Sequence, residues 1–159
     1  MARKPSTENN KEETPAELPT AKAILKQIAL KEAEKASEFM RRQAEMEGHK
    51  KELIEQLSKP YDLSEQEALR RATAIIQRAA NNGLTEVQIL RFPNKLCTDR
   101  GRAINNLEPG WESTLTGRPR ELYVFWSTHL RPKGYKLRFQ IVDFPNGMPG
   151  DVGITLSWG

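Results

Sequence analysis

Two runs near the C-terminus alternate between apolar and polar side chains, and this alternation constrains the fold more than any other feature of the chain. Tyr135, Leu137, Phe139 and Ile141 interleave with Lys136, Arg138 and Gln140. After Pro145-Asn-Gly-Met-Pro-Gly150 the pattern resumes as Val152, Ile154, Leu156 and Trp158 against Asp151, Gly153, Thr155 and Ser157. A period of two places successive side chains on opposite faces of a strand. The two runs are therefore expected to pair as a β-hairpin, with one face on helices and an outer face that is polar and basic.

Upstream, Ser64-Glu-Gln-Glu67 reads as a capping box, in which the Ser64 hydroxyl takes the Glu67 amide and the Glu67 carboxylate returns to the cap. Ala68, Leu69, Ala72, Ile75, Ile76, Ala79 and Ala80 follow at helical spacing, and Asn81-Asn82-Gly83 supplies a left-handed end. Val87–Phe92 reads as a strand with apolar residues on both faces, closed by Pro93. A polar loop, Asn94–Arg102, leads into a short helix from Ala103 to Leu107. Another helix begins near Pro119 and carries Leu122, Phe125, Trp126 and Leu130 on one face, up to Pro132 and Gly134.

The connection between the first strand and the hairpin is long enough for a crossover that makes the first and second strands run parallel. Their carboxyl ends would then share one edge of the sheet, bringing the loop at 94–102 beside the loop at 145–151. Ligands of open α/β sheets bind outside such ends. Asp99, Arg100, Arg102, Asn146 and Asp151 are accordingly the candidate ligand-binding residues. An anion would be favoured by the two guanidiniums and by the amides at the start of the helix at Arg102. The competing structural reading has Asp99 capping that helix, with the arginines facing water.

The N-terminal part differs in kind. Residues 1–59 hold one aromatic residue, Phe39, and 8 of their 20 hydrophobic residues are alanine, whereas all three Trp and all three Tyr lie beyond them. Residues 1–19 combine Pro5, Pro15 and Pro19 with polar side chains and are expected to be a disordered tail. Residues 20–59 read as a charged, alanine-rich helical extension with Thr20 as N-cap, a Glu38–Arg42 pair and a break at Gly48. Its apolar stripe begins with Ile24, Leu25 and Ile28, is interrupted by Lys31, Lys35 and Ser37, and returns at Phe39 and Met40. That is too irregular for a sustained heptad, and a helix that orders on a partner is favoured over self-association through 20–58. Residues 60–159 are expected to be the compact domain.

The resulting fold class is α+β: a small three-stranded sheet ending in a C-terminal β-hairpin, helices packed on one face, and a long charged helical extension in front. No apolar run approaches the roughly 20 residues of a membrane span, and no apolar segment follows Arg3 and Lys4 to suggest a secretory signal. One cysteine, Cys97, fits a reducing compartment and a cytoplasmic location. With two histidines set far apart, no metal site and no cofactor are expected.

Cys97-Thr-Asp-Arg-Gly-Arg102 has four residues between Cys and Arg, where a phosphate-cradling cysteine loop has five, so Cys97 is read as a small buried hydrophobe. His129 lacks triad spacing and is expected to satisfy the carbonyls ending its helix. Trp126 and Trp158 fall on core faces rather than where they would stack on bases. The densest positive stretch is Arg131, Lys133, Lys136 and Arg138, joined by Arg118, Arg120 and, if the strands pair, Arg91. With a net charge of +4, these residues suit weakly specific phosphate contacts. The function expected is that of a non-enzymatic cytoplasmic interaction or regulatory protein with a protein or nucleic-acid partner. The alternative is a small anionic-ligand-binding protein or enzyme using the two loops.

Overall fold

The computed structural model describes residues 17–159, and most of the tail expected to be disordered lies outside the described residues. The described residues divide into two units, one ending at Met46 and the other spanning Glu47–Gly159. The element order is helix α1 (Ala21–Ser58), helix α2 (Glu65–Asn81), strand β1 (Glu86–Phe92), a short helix α3 (Arg102–Asn105), helix α4 (Gly117–Phe125), strand β2 (Lys136–Ile141) and strand β3 (Val152–Ser157). This is the α+β class with its helical extension.

Helix α1 starts where expected, with Thr20 Oγ1 accepting from the Ala23 amide at 3.0 Å. Glu38 pairs with Arg42 at 3.5 Å and with Arg41 at 2.7 Å. The expected break at Gly48 does not occur, and the helix runs unbroken to Ser58. A helical glycine costs about 1 kcal/mol relative to alanine. Ile54 and Leu57, packed into the core of the second unit a few residues later, offset that cost. The compact unit therefore takes in the last turns of α1, upstream of the expected boundary at residue 60.

Helix α2 is capped by Ser64, whose Oγ accepts from the Glu67 amide at 3.1 Å. The Glu67 carboxylate does not complete the expected box. It turns outward to Arg70 (3.0 Å) and Arg71 (3.7 Å), since two guanidiniums one turn on compete for it.

The sheet order is β1-β3-β2, with both neighbours of β3 antiparallel to it. Strands β1 and β2 thus run in the same direction, as expected, but at opposite edges, so Arg91 does not pair with the cations of β2. The hairpin register sets Leu137 against Leu156, Phe139 against Ile154 and Ile141 against Val152. A bulge between Gln88 and Leu90 leaves Ile89 outside the β1–β3 pairing.

Because β3 is central, it is buried on both faces, and only Ser157 at its end is half-exposed. At Gly153 the outer face is already covered. A β-carbon there would stand 2.7 Å from Val142 Cγ1 and 3.6 Å from Gln88 Oε1. The core joins Leu57, Phe92, Leu96, Cys97, Ile104, Leu115, Phe139, Ile141, Val152 and Ile154. Phe139 is its aromatic hub, with ring centroids 4.9 Å from Trp111 and 6.4 Å from both Phe92 and Tyr123.

Candidate functional site

The loops following β1 and β2 do meet. Asn94 Nδ2 donates to Pro149 O at 2.8 Å, and a β-carbon at Gly101 would stand 3.2 Å from Ile141 Cδ1. The shared strand direction delivers this neighbourhood, but the charged residues in it serve the backbone and the sheet. Asp99 spends both carboxylate oxygens on its own turn, accepting from the amides of Gly101 (3.0 Å) and Ala103 (2.8 Å). This holds Arg100 and Gly101 at φ of 59° and 83°. Asp151 accepts from Arg91 Nε at 3.0 Å on the outer face of the sheet, beside Asp143, which is 3.3 Å from the same guanidinium. Arg102 is exposed, with Glu108 at 3.9 Å, and Asn146 is an exposed turn residue at φ 55°. Among the described residues, none of these five side chains hydrogen-bonds to another of the five.

Cys97 sits beneath this edge, buried at 2% exposure. Burial, reinforced by the Asp99 carboxylate and opposed by a Thr114 hydrogen bond, pushes its thiol up to about 11. It is a packed hydrophobe, since only a thiolate is nucleophilic.

The outer sheet face is ion-paired rather than uniformly basic, which corrects the expectation drawn from β2 alone. Arg138 binds Glu86 of β1 at 3.1 Å across β3 and Gln140 at 2.8 Å, and Arg91 holds the two aspartates. The cations left over precede the strand. Arg131 and Lys133 are exposed with no carboxylate partner among the described residues, and Lys136 reaches only the Gly159 carbonyl at 3.5 Å. Arg131 also lies 5.5 Å over the Trp126 ring.

A larger feature had no single motif to announce it. Between α2 and α4, with the sheet as its floor, lies a groove of about 700 Å3. One wall is the small-residue face of α2, where Ala68, Ala72 and Ile75 follow at helical spacing. The other wall is Leu122, Phe125 and Trp126, and the floor is Ile89, Leu137 and Leu156. The alanines are too short to close the gap, and Ala79 is the only residue of α2 that is buried.

The helix forming the second wall changes pitch at the groove. Residues Trp126–Leu130 are π-helical, and the Arg131 amide donates to Trp126 O five residues back. Such turns are common at functional positions. His129 lies within this turn and does not cap its helix as expected. Its Nε2 lies 3.2 Å from Glu65 Oε1, tying the first residue of α2 to the opposite wall. Trp126 is half-buried on this wall and donates from Nε1 to Tyr135 O at 3.0 Å. Tyr61, at the rim, has its amide held by Glu121 Oε2 at 2.9 Å. Its phenol is pushed above its ordinary range by burial, a shift that nearby Arg118 opposes and Glu121 adds to.

No family model, curated protein or solved structure matches this chain. Among the described residues, no helix is long and apolar enough to cross a membrane.

Proposed function

We propose that this chain is a non-enzymatic, cytoplasmic interaction protein that docks a protein partner through the Ala21–Met46 part of α1. The observation that carries this reading is the exposure of that stretch. None of its residues is buried, and Ile24, Ile28, Phe39 and Met46 stand 39%, 47%, 62% and 68% exposed. At 100° per residue these four fall in one stripe, within about 60° of one another, while the exposed Leu25, Leu30 and Met40 lie off that stripe. Lys31, Lys35 and Arg42 interleave in it, with Glu38 at its edge paired to Arg42 at 3.5 Å. A parallel second copy in register along this stripe would oppose Lys31 and Lys35 to their own counterparts. A partner helix with apolar residues at the ends and carboxylates between them complements it instead. The loop edge supports an enzyme less well, because Asp99 and Asp151 are engaged in holding the fold.

A photo-crosslinking amino acid placed at Phe39 in the full chain, with Ala33 on the opposite side of the helix as control, tests this in cells. A discrete heterologous adduct is expected from position 39 and not from 33, and Lys31→Glu with Lys35→Glu should remove it. Equal labelling from both positions, or an adduct insensitive to charge reversal, overturns the proposal. An adduct of twice the chain mass assigns self-association instead.

Arg131 and Lys133, free of carboxylates among the described residues, support a second reading in which the turn before β2 contacts nucleic-acid phosphates. Binding of an oligonucleotide duplex should then fall steeply with salt and weaken on Arg131→Glu with Lys133→Glu. Binding that is absent at low salt rejects it.

A further inference from the structure

We propose that the groove between α2 and α4 is a binding site for a small amphiphile with an apolar body and a single anionic head, of the monocarboxylate class. Three observations converge on that chemistry. The first is size and lining. About 700 Å3, with alanine, isoleucine, leucine and phenylalanine on walls and floor, matches the clefts that enclose small organic ligands.

The second is the charge left at the rim. Four full charges line it, Glu65, Glu121, Arg71 and Arg120. Glu65 faces His129 at 3.2 Å, and Glu121 accepts from the Tyr61 amide at 2.9 Å. Arg71 pairs with Glu67 at 3.7 Å, whereas Arg120 has no carboxylate partner among the described residues. Arg120 is thus the rim charge whose donors remain open to a ligand, and a guanidinium fork receives a carboxylate in a bidentate fashion.

The third is closure. Glu65 Oε1 lies 3.2 Å from His129 Nε2, so the two walls touch at the N-terminal end of α2, an arrangement that suits a compact ligand better than an extended chain.

The test uses the full chain with decanoate and its neutral counterpart, 1-decanol, as probes. Binding is followed by calorimetry and by the indole N–H resonances of the three tryptophans. Decanoate is expected to bind saturably and to shift one indole signal, which Trp126→Phe removes. Decanol should bind at least fivefold more weakly. Arg120→Gln should erase the difference between the two probes, and Ala72→Trp, which fills the groove, should abolish binding of both. If Ala72→Trp loses its cooperative thermal transition, Ala68→Phe replaces it. No decanoate binding at millimolar concentration overturns the site. Binding that survives the filled groove in a folded variant places the ligand elsewhere and also overturns it. Equal binding of both probes with no effect of Arg120→Gln overturns the anionic head. None of these outcomes bears on the docking helix, whose stripe lies in another unit of the chain.

Discussion

Any β-carbon added to Gly117 would fall onto the backbone carbonyl of Leu57. The two residues lie sixty positions apart, yet the first residue of α4 is packed directly against the end of α1. Gly117 also has φ of 61°, a conformation that side chains with a β-carbon rarely adopt. Neither the contact nor the dihedral leaves room for alanine. Gly117→Ala should therefore lower stability by about 2 kcal/mol or more, combining the left-handed penalty with a backbone clash. Chemical denaturation of the purified variant checks this, and a loss under about 0.5 kcal/mol would contradict the packing described.

Leu57 itself is 5% exposed within the main core. Leu57→Ala should cost about 2–5 kcal/mol. A fragment spanning residues 47–159 should show a cooperative thermal transition at a clearly higher midpoint than one spanning 60–159, which lacks both Ile54 and Leu57. Equal midpoints would return the domain boundary to residue 60.

Gly48 presents the opposite case. It lies inside α1, and an added β-carbon would meet nothing within 4 Å. Gly48→Ala should raise stability by about 0.5–1 kcal/mol, largely by restricting the unfolded chain. Circular dichroism should show unchanged or greater helicity; lower helicity would mean that a kink at this position is required.

Asp99 accepts two backbone hydrogen bonds with one carboxylate, and Asp99→Ala should cost about 1–2 kcal/mol, in the range of lost helix caps. Arg102→Ala, at an exposed side chain, should change stability by no more than about 0.5 kcal/mol. The reverse ordering in a denaturant titration would contradict the structural role assigned to Asp99.

Cys97 links stability to alkaline pH. Its ordinary pKa of 9.0 is raised to about 11 in the fold, so the native state holds the proton more tightly than the unfolded chain does. The contribution is fully present below pH 9 and is lost as pH rises through about 11. The stability difference between the parent chain and Cys97→Ala should accordingly shrink across that interval, and a difference that grows would reverse the sign. At pH 8 a disulfide reagent should label the native thiol only as fast as the chain opens.

Much of the local structure was legible because it is set by neighbours along the chain. The strict alternation at 135–141 and 151–158 specified a hairpin, and Thr20, Ser64 and Gly83 marked helix ends through hydrogen bonds and dihedrals that reach only a few residues. The common direction of β1 and β2, and with it the meeting of Asn94 with Pro149, was allowed for by the length of the connection between them. What the tertiary structure alone decided is which distant groups share space. Insertion of β3 between β1 and β2 buried both faces of a strand whose pattern had suggested one wet side, and it brought Glu86 to Arg138 and two aspartates to Arg91. Long charged side chains take whichever partner the fold brings within reach, so their spacing in sequence does not foretell whether they bind a ligand or each other. The groove has the same origin: alanines that read as an ordinary apolar helix face become a cavity wall only because the opposite helix stands too far away for them to touch it.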